Sequence, residues 1–95
     1  MNNISVYDLL KLSNVNIVDI RNAYYYNLGH INGAINIPYY NLLNNHSYYI
    51  NKYSLYYLYC DTGDQSLEIV NRLNSFGYHT LNITGGYEAY LKVFG

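Results

Sequence analysis

The chain is poor in the features on which most functional readings depend. Only 12% of its 95 residues are charged, and the cations Lys11, Arg21, Lys52, Arg72 and Lys92 are scattered from end to end. With a formal net charge of −1 and no basic cluster to neutralise phosphates, nucleic-acid binding has no electrostatic support. Pro38 is the only proline, so no proline-rich linker divides the chain. The single cysteine, Cys60, excludes an internal disulfide and agrees with a reducing compartment. His30, His46 and His79 are widely separated, and with one cysteine they lack zinc-like spacing; no metal site is expected. No apolar run approaches the length of a membrane span, and Met1 to Ser5 lack the charged start and apolar run of a secretory signal. No membrane association is expected, and a cytoplasmic location is.

What is present suits a globular protein. Hydrophobic residues make up 51% of the chain, enough for one modest core and for one domain spanning residues 1–95. Tyrosine is abundant, at 15 residues. Base-stacking tyrosines normally sit beside cationic grooves, and none is visible here, so these side chains are expected to fill core and surface sites.

Two periodicities alternate along the chain. Ser5 can cap a short helix in which Val6, Leu9 and Leu10 share a face. Val15 to Ile20 is β-rich and reads as a strand. Ala23 to Leu28 suits a turn or two of helix stopped by Gly29, Ala34 to Ile37 another strand, and Tyr39 to Leu43 a short helix. Asn44 to Tyr53 is polar and aromatic and reads as loop. Ser54 to Tyr59 is nearly all apolar or aromatic, as a central strand covered on both faces should be. Leu67, Ile69, Val70, Leu73 and Phe76 follow helical spacing up to Gly77. Thr80 to Ile83 alternates like a strand, and Gly85-Gly86 turns into a last helix around Tyr87 to Val93. Alternating strands and helices predict a three-layer α/β fold, its mostly parallel central sheet flanked by helices on both faces. The ligand site of such a fold lies beyond the carboxyl ends of the strands.

Cys60 stands at that place. The segment Cys60-Asp61-Thr62-Gly63-Asp64-Gln65-Ser66 joins the central strand to the longest helix. Unpaired N–H groups and the dipole of a helix N-terminus favour negative charge, and a tight loop there makes an anion-binding nest. Gly63 permits the backbone such a loop needs. A thiol in that nest is favoured as thiolate, the nucleophilic form, and the same amides could hold the terminal sulfur of a persulfide. Gln65, Thr62 and Ser66 could add neutral donors. Read alone, Cys60 is an ordinary buried small residue at a strand end; the strand–Cys–Gly loop–helix arrangement is what brings the reactive reading level with that one. A phosphatase-type Cys-x5-Arg loop would need Arg at position 66, and a thioredoxin-type dithiol a second cysteine at position 63; the chain has Ser66 and Gly63.

Three separated segments together resemble the rhodanese family. Its active-site loop typically runs Cys-x-x-Gly-x-Arg-Ser, and Cys60, Gly63 and Ser66 match, with Gln65 at the usual Arg position. Upstream, Asp19, Arg21, Tyr26 and the run Gly29-His30-Ile31-x-Gly33-Ala34-x-Asn36-Ile37-Pro38 match in register. Gly85-Gly86-Tyr87-Glu88-Ala89-Tyr90 is similar to the family's closing Gly-Gly motif, with Tyr90 replacing Trp. Tyr25 stands where members often carry Glu.

The resemblance implies a rhodanese-type sulfurtransferase, with Cys60 as catalytic residue and Asp61 to Ser66 as the substrate-binding loop. The implied substrates are a small sulfur donor (thiosulfate or a persulfide) and a thiol or cyanide acceptor, or a protein acceptor, and no cofactor is implied. The alternative is a non-catalytic sulfur-carrier or protein-binding module of the same fold. Asp19 and Arg21 are expected at the same sheet edge, chiefly as a structural pair that could also support the loop. His30 is expected to fix a turn, with a general-base role as the alternative. The loop contains Asp61 and Asp64, Glu68 follows in the helix, and no Lys or Arg lies between Tyr53 and Asn71. Such carboxylates oppose a nearby thiolate and repel a dianion, so weak thiosulfate activity is expected.

Overall fold

A computed structural model describes residues 2–94. Five parallel strands form one sheet: β1 (Asn3–Ile4), β2 (Asn16–Asp19), β3 (Ile35–Asn36), β4 (Leu55–Tyr59) and β5 (His79–Ile83), in the order β1-β5-β4-β2-β3. Six helices connect and follow them: α1 (Val6–Leu9), α2 (Ala23–Leu28), α3 (Tyr39–Asn44), α4 (His46–Tyr49), α5 (Asp64–Ser75) and α6 (Gly86–Phe94). No described helix is long and apolar enough to cross a membrane.

The sheet separates two apolar clusters. Val18, Ile20, Leu58, Cys60, Leu42, Ile69, Val70 and Leu73 pack on one face, with α3 and α5. Ile17, Tyr57, Tyr59, Val6, Leu9, Ile31 and Ile83 pack on the other, with α1 and part of α6. Successive β4 residues alternate between the clusters as strand geometry requires, so both faces of β4 are buried. The expected three-layer fold with helices on both faces is therefore present.

A strand this rich in tyrosine stays buried because its hydroxyls find partners. The Tyr56 hydroxyl accepts from the Asn51 amide at 3.0 Å, and the Tyr59 hydroxyl bonds Asp19 at 2.6 Å and the Ile31 amide at 3.0 Å. A buried tyrosine needs such a partner for its polar tip.

Most elements lie where the pattern places them, and the departures have local causes. Ser5 accepts from the Asp8 amide and caps α1, but Leu10 falls at its C-cap and is exposed. Within the expected Asn44–Tyr53 loop, residues 46–49 form α4; the turn is held by Ile50 buried in the core and by His46 Nδ1, 2.7 Å from the Tyr78 hydroxyl. His46 is thus half-buried, whereas His79 is exposed. Strand β1 was not expected. It is two residues long and exists through its pairing, Asn3 with Asn82 and Ile4 with Ile83.

The connections leaving β2 and β4 diverge. From β2 the chain moves to β3 at one edge, and from β4 through α5 to β5 on the other side. The crevice at the carboxyl ends of β2 and β4 is a topological switch point, where open α/β sheets bind ligands. Asp19 is in register with Tyr59, which brings residues 19–21 beside Cys60.

Leu58 is fully buried on the central strand. Leu58→Ala is expected to cost about 2–5 kcal/mol, read from the denaturant midpoint at unchanged m-value.

Candidate functional site

Cys60 follows β4 and is only 5% exposed. Two backbone amides aim at its sulfur, Gly63 N at 3.2 Å and Ser66 N at 3.4 Å, with Ser66 Oγ also at 3.4 Å. The loop makes this possible by curling back on the thiol. Gly63 has φ of 98°, and a Cβ there would stand 2.9 Å from Gly85 N. The Asp64 and Gln65 amides open α5 and have no intrahelical partner by position. Donors so arranged can hold negative charge on a sulfur at this point.

The far side of the loop is anchored by the start of α6. Tyr87 N donates to the Cys60 carbonyl at 2.9 Å and Glu88 N to the Asp61 carbonyl at 3.0 Å. Such an approach requires Gly86, since a Cβ there would meet the Cys60 oxygen at 2.3 Å. The Gly85-Gly86 turn into α6 thus also permits close packing against the Cys60 loop.

Asp19 and Arg21 form the floor. Asp19 is fully buried and accepts from Arg21 N at 2.8 Å, from Nε at 3.1 Å, from Nη2 at 2.7 Å and from the Tyr59 hydroxyl at 2.6 Å. Arg21 also donates to the Gly29 carbonyl at 2.6 Å, approaches Asp61 at 3.6 Å, and lies 4.3 Å from the centre of the Tyr87 ring. Burial works against its charge, but the hydrogen bond and negative charge of Asp19 outweigh this and raise its pKa. The pair joins β2 to the Gly29 turn, and it also touches the loop through Asp61. Burial, followed by the hydrogen bond to Asp19, pushes the Tyr59 phenol well above the ordinary tyrosine range.

A cleft of about 310 Å³ opens over Cys60, lined by Ile20, Arg21, Asn22, Tyr25, Pro38, Tyr39, Tyr40, Asn41, Asp61 and Gln65. Of the loop side chains singled out in the sequence, Asp61 and Gln65 reach this cleft. Thr62 and Asp64 line a separate depression with Asn3, Asn82 and Thr84, while the Ser66 hydroxyl is taken up by Asn82. His30 bonds the Tyr26 carbonyl at 2.8 Å and stacks on the Tyr26 ring at 3.9 Å. These contacts fix the turn; among the described residues no hydrogen bond joins His30 to the Cys60 loop. Sequence reasoning missed Tyr59, Tyr87, Tyr39 and Tyr40 as site neighbours. Only adjacency to Cys60 and to Gly86 could have pointed to the first two.

Fold and site together define a small parallel α/β domain whose one cysteine is cradled by backbone amides at a strand–helix junction. The family model of the rhodanese-like domain matches residues 3–92, and the chain belongs to that family. Among solved structures, a Staphylococcus saprophyticus protein is 32% identical over 100% of this chain and 94% of that one, with a TM-score of 0.82. A rhodanese-like domain protein from Staphylococcus aureus is 30% identical over 95% and 91%, with a TM-score of 0.81. A rhodanese-related protein from Thermoplasma volcanium shares the fold at a TM-score of 0.89, with 22% identity over 98% and 93%. No curated protein matches the chain. Family membership supports a sulfurtransferase-type or sulfur-related module.

The raised Tyr59 pKa has a defined sign. Unfolded tyrosine ionises near pH 10, whereas in the fold Tyr59 keeps its proton to higher pH. Its stabilisation is fully present below about pH 10 and is lost as pH rises above that, because the unfolded chain then binds fewer protons. Stability should therefore fall above about pH 10, and less steeply in Tyr59→Phe, measured by chemical denaturation at stepped pH.

Proposed function

We propose that this protein is a sulfurtransferase that carries sulfane sulfur as a persulfide on Cys60, taking it from a donor and passing it to a thiophilic acceptor. The observation that carries this reading is the aim of two backbone amides at the only thiol, beneath a cleft that reaches it. The Cys60 thiolate attacks the outer sulfur of a persulfide R–S–SH. The S–S bond breaks, its electron pair leaves with R–S⁻, and the protein becomes Cys60–S–SH. In the second half an acceptor thiolate, or cyanide, attacks that outer sulfur, and the electron pair of the breaking bond returns to the Cys60 sulfur. No external oxidant or reductant enters. The Gly63 and Ser66 amides, with those opening α5, hold the sulfur charge in each step.

The preferred donor in this reading is a neutral or protein-bound persulfide. Thiosulfate would deliver sulfur and release sulfite, but its sulfonate must enter a cleft whose one lining cation, Arg21, is already paired with Asp19 and faces Asp61. The acceptor is a thiol, cyanide or a protein cysteine.

Intact mass after mixing with a persulfide donor should rise by one sulfur, and Cys60→Ser should abolish the gain. Failure of any donor or thiol reagent to modify Cys60 would leave a non-catalytic binding module. Thiosulfate:cyanide turnover should be weak. Because Gln65 lines the cleft, Gln65→Arg should raise kcat/KM for thiosulfate about tenfold, equivalent to about 1.4 kcal/mol of added anion binding in the transition state. An unchanged value would show that missing positive charge is not what limits that reaction.

A further inference from the structure

The walls of the Cys60 cleft carry information that its thiol does not. The single cation lining it is committed: Arg21 gives Nε and Nη2 to Asp19 and Nη2 to Gly29, while Nη1 faces Asp61. Asp19 and Asp61 together outweigh that one positive charge. Glu68, bonded by the Tyr39 hydroxyl, lies behind the cleft wall and shares that hydroxyl's surroundings with the cation Arg72, so the negative excess at the cleft itself comes from Asp61. The remaining exposed wall combines the rings of Tyr25 and Tyr40, 51% and 68% accessible, with the neutral amides of Asn22, Asn41 and Gln65. Aromatic faces and carboxylates attract the same kind of group, an organic cation.

Two parts of one substrate would thus experience opposite fields. The reacting sulfur would sit against the amides of Gly63 and Ser66, which favour negative charge. Atoms a few bonds away would lie among Tyr25, Tyr40 and Asp61, which favour positive charge and disfavour carboxylate or sulfonate. Building on the reading of Cys60 as a sulfur carrier, we infer that the site selects thiols and persulfides bearing an ammonium group close to the sulfur. Asp61, Tyr25 and Tyr40 set that preference. A small aminothiol and a cysteine flanked by lysines in a polypeptide share this chemistry.

The test uses protein first loaded to the Cys60 persulfide and verified by mass. Sulfur transfer is timed to cysteamine, 2-mercaptoethanol and 3-mercaptopropionate, and to two short peptides with cysteine flanked by lysines or by glutamates. Each rate is taken per thiolate and divided by that of the same thiol with a small-molecule persulfide, which removes intrinsic nucleophilicity. The amine should exceed the carboxylate by about three- to tenfold at low salt, the scale of partly exposed charge contacts, and the ratio should shrink as salt screens it. Asp61→Asn and Tyr40→Leu should each lower the ratio, read only on the fraction of each variant shown by mass to carry the Cys60 persulfide. Preference for the cation within either set of acceptors supports the inference and names the source. Equal normalised rates in both sets, or preference for the carboxylates, overturns it while the sulfur-carrier reading stands. A protein that never loads on Cys60 overturns both.

Discussion

The surroundings of Cys60 depend on one buried carboxylate. Asp19 has no solvent to neutralise it and depends on the guanidinium of Arg21, the Arg21 amide and the hydroxyl of Tyr59. A buried ion pair of this kind gains little over a well-packed apolar substitute, but losing one partner strands the other at about 3–5 kcal/mol. Its contribution lies in position. Asp19 ends β2 in register with Tyr59 on β4, so satisfying its charge fixes how Arg21 leaves β2 and where Tyr59 stops before Cys60. From there Arg21 reaches the Gly29 turn, the Tyr87 ring and Asp61.

Backbone groups around the thiol are divided between two tasks. Amides of Gly63 and Ser66 turn inward to the sulfur, whereas the carbonyls of Cys60 and Asp61 turn outward to the first amides of α6. A loop that used its own carbonyls to satisfy those amides would have nothing left to aim at sulfur. Gly63 and Gly86 are where the chain needs positive φ and close approach at once, and the two glycine motifs therefore serve one contact region.

Much of the fold was legible because its signals are local. Helix α2 runs from Ala23 to Leu28, the same bounds that the Gly29 stop implies, and β4 and α5 carry long apolar patterns. Strand β1 and helix α4 were not legible, since two residues cannot show a period and α4 depends on Ile50 and Tyr78. The thiol and its glycine could be placed from their order alone, but the character of the cleft could not. Tyr25, Tyr39 and Tyr40 come from α2 and α3, and only tertiary packing gathers them over Cys60. Arg21 shows the same limit. Its pairing with Asp19 follows from proximity in sequence, whereas its commitment to Gly29 and Tyr87 does not.

The anchoring of the Cys60 loop by α6 also makes the site depend on segments that follow it in the chain. Residues 59–66 emerge well before Gly86, Tyr87 and Glu88, whose backbone holds the loop carbonyls. Strand β5, which carries Asn82 beneath Ser66 and lies between β4 and β1, also emerges after the loop. Contacts this distant in sequence close late and slow folding. The cradle is therefore complete only with β5 and α6 in place, so a chain ending before Gly86 would keep the thiol and lose the backbone donors that hold its loop carbonyls.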